Sequence, residues 1–168
     1  MRRISRVSVR PPLYTAEERA RRNRSPWTRI QGILAPLQFL IFLVSFGLVM
    51  RYLATGKQES LALASVVVKT VALYAIMVTG CLWEKDVFGR YLFAPAFFWE
   101  DAVSMLVIAL HSLYLYAWWF TTLDSITLSE LALAAYATYA INALQFVTKF
   151  RMARIQRAQA PSFGQLAP

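Results

Sequence analysis

Residues 30–50 read IQGILAPLQFLIFLVSFGLVM, a run of 21 residues that contains no charged side chain. A helix that crosses a membrane needs roughly 20 predominantly apolar residues. Three more runs of this character follow, at 61–83, 97–120 and 126–148, and the segments between the four runs are short. Because a backbone in lipid must satisfy its own hydrogen bonds, each run is predicted to be a helix. We therefore predict an all-α integral membrane protein built as a four-transmembrane-helix bundle.

The composition of the whole chain supports this class. Of its 168 residues, 58% are hydrophobic and 16% are charged, whereas a soluble domain is typically about 45–50% apolar and about 25% charged. The hydrophobic content also excludes an intrinsically disordered chain. A single cysteine, Cys81, and a single histidine, His111, exclude a disulfide framework, a cysteine-based metal cluster and a multi-histidine metal site. The phosphate-binding patterns GxxxxGK[ST] and GxGxxG do not occur in the sequence.

The chain has a net charge of +9, and the positions of its Lys and Arg residues predict how it is oriented in the membrane. With both termini on one side, 15 of the 18 Lys and Arg residues lie on that side, and only Arg51 and Lys57 lie on the other. Short loops rich in Lys and Arg stay in the cytoplasm, so we predict that the N- and C-termini are cytoplasmic. The charge is therefore weak evidence for nucleic-acid binding, and we expect the basic segments to contact anionic lipid headgroups.

The charge distribution divides the chain into a basic cytoplasmic N-terminal segment (1–29), a four-helix transmembrane domain (30–150) and a basic cytoplasmic tail (151–168). The basic segment is too long for a signal peptide, so we expect the first transmembrane helix to be retained. Within this segment, Thr15 and Glu18 have the spacing of a capping box, which predicts a short surface helix. Ser25-Pro26 is a typical helix start and predicts where the next helix begins.

Polar side chains within the predicted spans are candidate functional residues, because a polar group in lipid needs a partner, a cavity or a task. At a rise of about 1.5 Å per residue, they fall in two layers. The layer in the cytoplasmic half contains Gln38, Ser104, Asn142 and Gln145. The layer in the outer half contains Lys69 and His111. In the simplest interpretation, Asn142 and Gln145 form hydrogen bonds between helices. The Lys69 side chain then extends toward the outer surface of the membrane.

The third predicted helix carries Glu100, Ser104 and His111 on one stripe, because they are separated by four and seven residues. Asp101 lies beside that stripe. The sequence leaves two interpretations open for the acids: they stabilise the helix N-terminus through its dipole, or they act as general acid and base. It also leaves two for His111, which either hydrogen-bonds to a neighbouring helix or serves as an axial ligand for a porphyrin-type metal.

Several blocks of the sequence resemble a known family. The blocks are PLYT at 12–15, QGILAPLQF at 31–39, RYLATG at 51–56, WEK at 83–85, VFGR at 87–90, LFAPAFFWED at 92–101, SMLVIALH at 104–111 and NALQF at 142–146. The blocks resemble the 3-vinyl (bacterio)chlorophyllide hydratases of bacteriochlorophyll synthesis, called 2-vinyl in older nomenclature, and the resemblance covers roughly residues 12–155. The resemblance implies a small membrane hydro-lyase that converts the C3-vinyl group of chlorophyllide a or a bacteriochlorophyllide intermediate into a 1-hydroxyethyl group. It implies no cofactor.

The chemistry that the resemblance implies assigns roles to the polar residues. Water addition to a vinyl group needs an acid and a base, for which we expect Glu100 and Asp101, with Glu84 as a further candidate. His111 is a candidate axial ligand to the magnesium of the substrate, and no metal site of the protein's own is expected. The remaining expected substrate contacts are Ser104, Gln38, Asn142, Gln145, Trp99, Lys85 and Arg90. The last two are expected to bind the propionate carboxylate.

The resemblance also implies a location and partners. We expect the protein in the inner (cytoplasmic or intracytoplasmic) membrane of a phototrophic bacterium, next to other pigment-synthesis enzymes. Two alternatives remain open. One is a non-catalytic pigment-binding or photosystem-assembly protein, in which His111 ligates a pigment. The other is a small transporter with Lys69 as a gated charge.

Overall fold

A computed structural model describes residues 13–159 of the chain, with side chains to residue 155. Within this range the protein consists of helices and contains no strand. The helices are α1 (Ala16–Arg24), α2 (Pro26–Thr55), α3 (Glu59–Phe88), α4 (Phe98–Phe120) and α5 (Ser125–Gln159). The last four are long and apolar enough to cross a membrane, which confirms the predicted class. Predictions for residues 1–12 and 160–168 lie outside the described residues.

The predicted helix starts are confirmed. The Thr15 N–H donates to the Glu18 carboxylate at 2.8 Å, and the Glu18 N–H donates to the Thr15 hydroxyl at 3.2 Å, which completes the capping box of α1. Ser25 is the N-cap residue of α2 and Pro26 its first residue. The Ser25 hydroxyl donates to Asp86 near the end of α3, at 2.8 Å. This bond ties the beginning of α2 to the end of α3.

The four long helices form two hairpins. Short connections make α2 antiparallel to α3 and α4 antiparallel to α5, and within each pair the helices pack along much of their length. The two pairs contact each other less extensively. We call the contact between the α2–α3 pair and the α4–α5 pair the hairpin interface. The end of the bundle where α2 and α4 begin and α3 ends is called the acid end.

The outer surface of the bundle is apolar along the long helices. Side chains such as Ile33, Val44, Val71 and Leu144 are more than half exposed, as expected for helices surrounded by lipid. The interior contains a core of aliphatic and tyrosine side chains drawn from all four long helices. Because the outside of the bundle is apolar, polar side chains that face its interior are the candidates for a functional site.

An aromatic cluster closes the acid end. Tyr14, Val87 and Phe97 form its buried centre. The Tyr14 ring stacks on Phe88, with centroids 5.9 Å apart, and the Arg22 guanidinium lies 4.8 Å from its centre. Burial raises the pKa of Tyr14 to about 12, although Arg22 opposes this shift. The described part of the N-terminal segment is therefore packed against the bundle.

Candidate active site

Two buried carboxyl groups meet at the acid end of the hairpin interface. Asp101, in the first turn of α4, accepts a hydrogen bond from the Phe93 N–H at 2.8 Å. Glu84, in the last turns of α3, accepts one from the Ala94 N–H at 3.3 Å. These N–H groups are consecutive in the chain, and the two carboxyl groups lie side by side, within hydrogen-bonding distance of each other. Glu84 is 5% exposed and Asp101 4%, and the described residues include no Lys or Arg that forms an ion pair with either.

The loop between α3 and α4 holds these carboxyl groups in place. It begins at Gly89, where φ is 77°, a conformation that glycine adopts without a steric penalty. Phe93 also has a positive φ, 58°, which is uncommon for a bulky residue. Strained backbone of this kind concentrates at functional sites, where surrounding contacts hold it. Here the contact is the hydrogen bond from the Phe93 N–H to Asp101.

Glu100 has a different partner from its neighbour in sequence. Its carboxylate forms an ion pair with Lys149 of α5, with 2.5 Å between Oε2 and Nζ. The Lys149 ammonium also lies 4.9 Å from the centre of the Phe97 ring. The sequence predicts Glu100 and Asp101 as the acid and base, with Glu84 as a further candidate. In the structure Asp101 instead lies beside Glu84, and Lys149 balances the charge of Glu100.

Lys149 was missed by sequence reasoning, which counted it only as a basic residue of the tail. A usable signal was present, because Asn142, Gln145 and Lys149 are spaced at i, i+3 and i+7 and share one face of α5. Lys149 is the member of this face that lies at the acid end, where its ammonium donates to the Glu100 carboxylate.

The predicted polar layer adjoins the acid end. Asn142 donates to the Ser104 hydroxyl at 2.7 Å, and Ser104 donates to the backbone oxygen of Glu100 at 2.8 Å. Gln38 is buried, and its side-chain nitrogen has no hydrogen-bond partner. The side-chain oxygens of Asn142 and Gln145 also lack one. The structure therefore joins Ser104 to Asn142 and leaves three amide atoms of this layer available for further hydrogen bonds.

Lys69 and His111 lie deeper in the bundle, and both are fully buried. The Lys69 ammonium is 3.7 Å from the centre of the Tyr139 ring of α5. The interpretation that Lys69 extends to the outer surface is therefore wrong. His111 Nδ1 lies 2.8 Å from the Val107 backbone oxygen of its own helix, so its hydrogen bond does not join two helices. His111 Nε2 has no partner.

Three predicted contact residues lie on the outside of the acid end. Trp99 is 71% exposed, and Lys85 and Arg90 are exposed as well. The Lys85 ammonium donates to the Gly89 backbone oxygen at 3.3 Å and lies 5.0 Å from the centre of the Tyr91 ring. Among the described residues, no hydrogen bond or ion pair joins these three side chains to the buried carboxyl pair.

The arrangement is suited to acid–base chemistry in a site shielded from water. Two adjacent carboxyl groups supply a proton donor and a proton acceptor within reach of one ligand atom. Backbone N–H groups orient both of them without neutralising their charge, whereas a Lys or Arg partner would do so. Glu84 and Asp101 satisfy these conditions, and Glu100, paired with Lys149, does not.

Comparison with known proteins gives consistent matches over almost the whole chain. Residues 14–152 match the family model described as 2-vinyl bacteriochlorophyllide hydratase. A protein of that name from Cereibacter sphaeroides is 60% identical over 148 residues, which cover 88% of this chain and 92% of the relative. Another from Rhodobacter capsulatus is 59% identical over 149 residues, covering 89% and 86%. No solved structure matches the chain. The chain therefore belongs to the 2-vinyl bacteriochlorophyllide hydratase family.

Proposed function

We propose that this protein is a hydro-lyase that adds water to the vinyl group of a bacteriochlorophyllide during bacteriochlorophyll biosynthesis. Family membership supports the activity, since both relatives are named for it, and the family predicted from the sequence is confirmed. The proposed substrate is chlorophyllide a or a bacteriochlorophyllide intermediate, and the product carries a 1-hydroxyethyl group in place of the vinyl group.

The reaction proceeds in three steps: protonation of the vinyl group, attack by water and loss of a proton from that water. A general acid donates a proton to the terminal carbon of the vinyl group, and the π electrons of the double bond form the new C–H bond. The positive charge then develops on the carbon attached to the macrocycle, which delocalises it. Water attacks this carbon, and a general base removes one proton from the water. The net change is the addition of one water molecule.

The carboxyl pair Glu84–Asp101 is the observation that carries this mechanism. One of the two groups donates the proton to the vinyl carbon, and the other accepts the proton from the attacking water. Passage of that proton between the two adjacent groups restores the starting state without help from solvent. The N–H groups of Phe93 and Ala94 hold the carboxyl oxygens in position, so little reorganisation is needed during the reaction.

Glu100 acts as a positioning residue in this proposal. Its ion pair with Lys149 fixes the end of α5 against the start of α4, next to Asp101. The backbone of Glu100 also accepts the bond from Ser104. Loss of the Glu100 carboxylate therefore disturbs the placement of the site, but it does not remove a reacting group.

The remaining predicted residues are proposed as substrate contacts. His111 is the axial ligand to the substrate magnesium, because its Nε2 has no partner and its Nδ1 bonds to a backbone oxygen, as is usual for ligating histidines. The polar groups that face the macrocycle are Gln38, Ser104, Asn142 and Gln145. Lys85 and Arg90 bind the propionate carboxylate at the edge of the acid end. The exposed indole of Trp99 lies against the substrate as it arrives from the membrane surface.

We further propose that the acid end and both termini face the cytoplasm, in the inner or intracytoplasmic membrane. The distribution of Lys and Arg supports this orientation. Residues 1–29 and 151–168 then flank the 30–150 transmembrane domain as basic segments that contact anionic lipids and neighbouring pigment-synthesis enzymes. A test uses Lys57→Cys in a Cys81→Ser background, since residue 57 lies between α2 and α3. An impermeant thiol reagent labels this variant from outside the cell, and labelling only after lysis would contradict the proposed orientation.

The activity is tested with membranes that contain the protein and 3-vinyl chlorophyllide. The expected product is heavier by one water, and its red absorption band moves to shorter wavelength because a conjugated double bond is lost. In water enriched in heavy oxygen, the label appears in the product. Membranes lacking the protein are the control. Pigment that co-purifies with the protein and stays unconverted would favour the pigment-binding alternative.

A further inference from the structure

Within residues 13–155, three amide side chains of the bundle have a buried polar atom without a hydrogen-bond partner. These atoms are the Gln38 Nε2, the Asn142 Oδ1 and the Gln145 Oε1. Gln38 is 3% exposed and Asn142 8%. Polar groups buried in a native protein are almost always paired, so each exception requires an explanation. We call these three residues the amide layer.

Gln38 and Asn142 lie opposite each other where α2 packs on α5. One turn deeper in the bundle, the Phe42 ring of α2 lies 5.0 Å from the Tyr139 ring of α5. Gln38 precedes Phe42 by four residues, and Asn142 follows Tyr139 by three. Because α2 runs away from the acid end and α5 runs toward it, both steps lead about one turn toward the acid end. The Gln38 donor and the Asn142 acceptor therefore lie at a similar depth on facing helices.

The amide layer adjoins Asp101 of the carboxyl pair. The Asn142 Nδ2 donates to the Ser104 hydroxyl at 2.7 Å, which holds Asn142 against α4. Ser104 follows Asp101 by three residues, so their side chains are neighbours on the surface of α4. Asp101 also lies within electrostatic reach of Glu100 and Lys149, whose ion pair joins α4 to α5. Asp101 is therefore the carboxyl group on the α5 side of the pair.

We propose that Gln38 and Asn142 bind the water molecule that attacks the vinyl group. The water accepts a hydrogen bond from the Gln38 Nε2 and donates one to the Asn142 Oδ1. Its second O–H donates to Asp101, and its second lone pair attacks the substrate. Gln145, one turn of α5 closer to the acid end, accepts a hydrogen bond from the next water that enters. This inference rests on the proposed function and deepens it.

The water site assigns a role to each member of the carboxyl pair. Glu84 is the acid, and its proton goes to the terminal vinyl carbon, where the π electrons form the new C–H bond. Asp101 is the base that takes a proton from the bound water as the C–O bond forms. Passage of this proton from Asp101 to Glu84 restores the pair, and one water has been added. The amide layer faces the macrocycle with the attacking water held between them, which removes the need for a chance encounter.

The test runs the reaction in heavy water, with membranes that contain the full-length protein, and measures two outcomes at early times. Hydration gives the 1-hydroxyethyl pigment. When water fails to attack, the cation loses a proton from its new methyl group and returns to the vinyl pigment, which then carries deuterium on its terminal carbon. Mass spectrometry of the recovered vinyl pigment measures this exchange. The ratio of exchange to hydration reports how well water captures the cation, whereas a loss of stability lowers both rates together.

Gln38→Met and Asn142→Leu remove the amide groups with little change in side-chain size. We expect each variant to lower hydration about three- to tenfold and to raise the ratio of exchange to hydration by a similar factor, because a hydrogen bond to the bound water is lost. The dissociation constant of the pigment, from absorption titration, stays unchanged. A ratio that stays at the wild-type value in both variants would overturn the proposal, whether or not pigment binding is weaker.

Gln31→Met is the matched control. Gln31 lies on the same helix, seven residues before Gln38, and its amide donates to the Thr79 hydroxyl at 2.7 Å and to the Ile76 backbone oxygen at 3.1 Å. Its loss is therefore expected to affect stability and to leave the ratio of exchange to hydration unchanged. A ratio that rises in Gln31→Met as much as in Gln38→Met would show that any disturbance of α2 has this effect, and would overturn the water site.

The carboxyl variants test the assigned roles in the same assay. Glu84→Gln loses hydration and exchange together, because no proton reaches the vinyl carbon. Asp101→Asn loses hydration and retains exchange, because Glu84 still protonates the vinyl group. Exchange that survives in Glu84→Gln, or disappears in Asp101→Asn, would overturn the assignment of acid and base.

The wild type separates this inference from the proposed function. A wild type that neither hydrates nor exchanges the vinyl pigment would overturn both. A wild type that hydrates the pigment, with the wild-type ratio in Gln38→Met and Asn142→Leu, would overturn the water site and leave the proposed function standing. Should Asn142→Leu fail to fold because it also loses the bond to Ser104, Gln38→Met decides the question.

Discussion

Conversion of Glu84 to Gln tests the proposed mechanism most directly. The substitution keeps an oxygen that accepts the bond from the Ala94 N–H, now 3.3 Å from the carboxylate, and it keeps the side-chain length. The loop is therefore retained, and the change removes only the ability to carry a proton. Removal of a general acid or base costs about 10²–10⁴-fold in rate. We expect kcat for vinyl hydration to fall by this factor, with KM changed by only a few fold.

Asp101→Asn has the same expected effect, because its amide oxygen still accepts from the Phe93 N–H. Residues that act as a unit lose activity non-additively, so the double variant is expected to be within a few fold of the slower single variant. Glu130→Gln, at an exposed position of α5, is the control and retains wild-type kcat. Turnover is followed by the loss of vinyl absorption, with circular dichroism as the check on folding. A Glu84→Gln variant with more than half of the wild-type kcat, or losses that multiply in the double variant, would refute the paired mechanism.

Three further predictions concern residues around the site that hold it in place and contribute to the stability of the protein. Lys149→Met leaves the buried Glu100 carboxylate without its partner and lowers the free energy of unfolding by about 1–3 kcal/mol, measured by denaturant titration in detergent. The double variant Lys149→Met/Glu100→Gln is expected to recover most of this loss. A double variant that recovers none of it would contradict the pairing. Gly89→Ala, at φ 77°, lowers the free energy of unfolding by about 1–2 kcal/mol and reduces kcat. Its control is Gly47→Ala, where an added Cβ meets nothing within 4 Å, and this variant leaves kcat unchanged. Because burial raises the pKa of Tyr14 to about 12, the unfolded state releases this proton first, near pH 10. The stability that the neutral hydroxyl contributes is thus complete below pH 10 and is lost as the pH rises toward 12. Tyr14→Phe is expected to have a shallower decline over that interval, and identical declines would refute the assignment.

The sequence-based predictions succeeded where they depended on neighbours in the chain. The capping box of Thr15 and Glu18 and the helix start at Ser25-Pro26 involve residues within one turn, so local spacing was sufficient. Three of the long helices nonetheless extend beyond the predicted spans, to Pro26–Thr55, Glu59–Phe88 and Ser125–Gln159, whereas α4 (Phe98–Phe120) keeps to its predicted span. The added turns contain charged residues such as Arg29, Arg51 and Lys85, which a search for uncharged runs does not include.

The pairing of charged groups was predicted less well. Adjacent carboxylates in sequence, Glu100 and Asp101, suggested a catalytic pair, but consecutive residues on a helix point about 100° apart. One is directed to Lys149 on α5 and the other to Glu84 on α3. The partner of each depends on helices that are remote in sequence, and on a loop in which Phe93 adopts a positive φ.

The chain by itself determined the fold class, the number of long apolar helices and the family, because hydrophobic run length and short blocks such as FAPAFFWED are properties of the linear sequence. Only the tertiary structure decided which polar groups meet. It paired Glu84 with Asp101, gave Glu100 the cation of Lys149, and enclosed Lys69 under Tyr139 instead of at the outer surface. The physical reason is that these partners are 17, 49 and 70 residues apart, and helix packing alone brings them together.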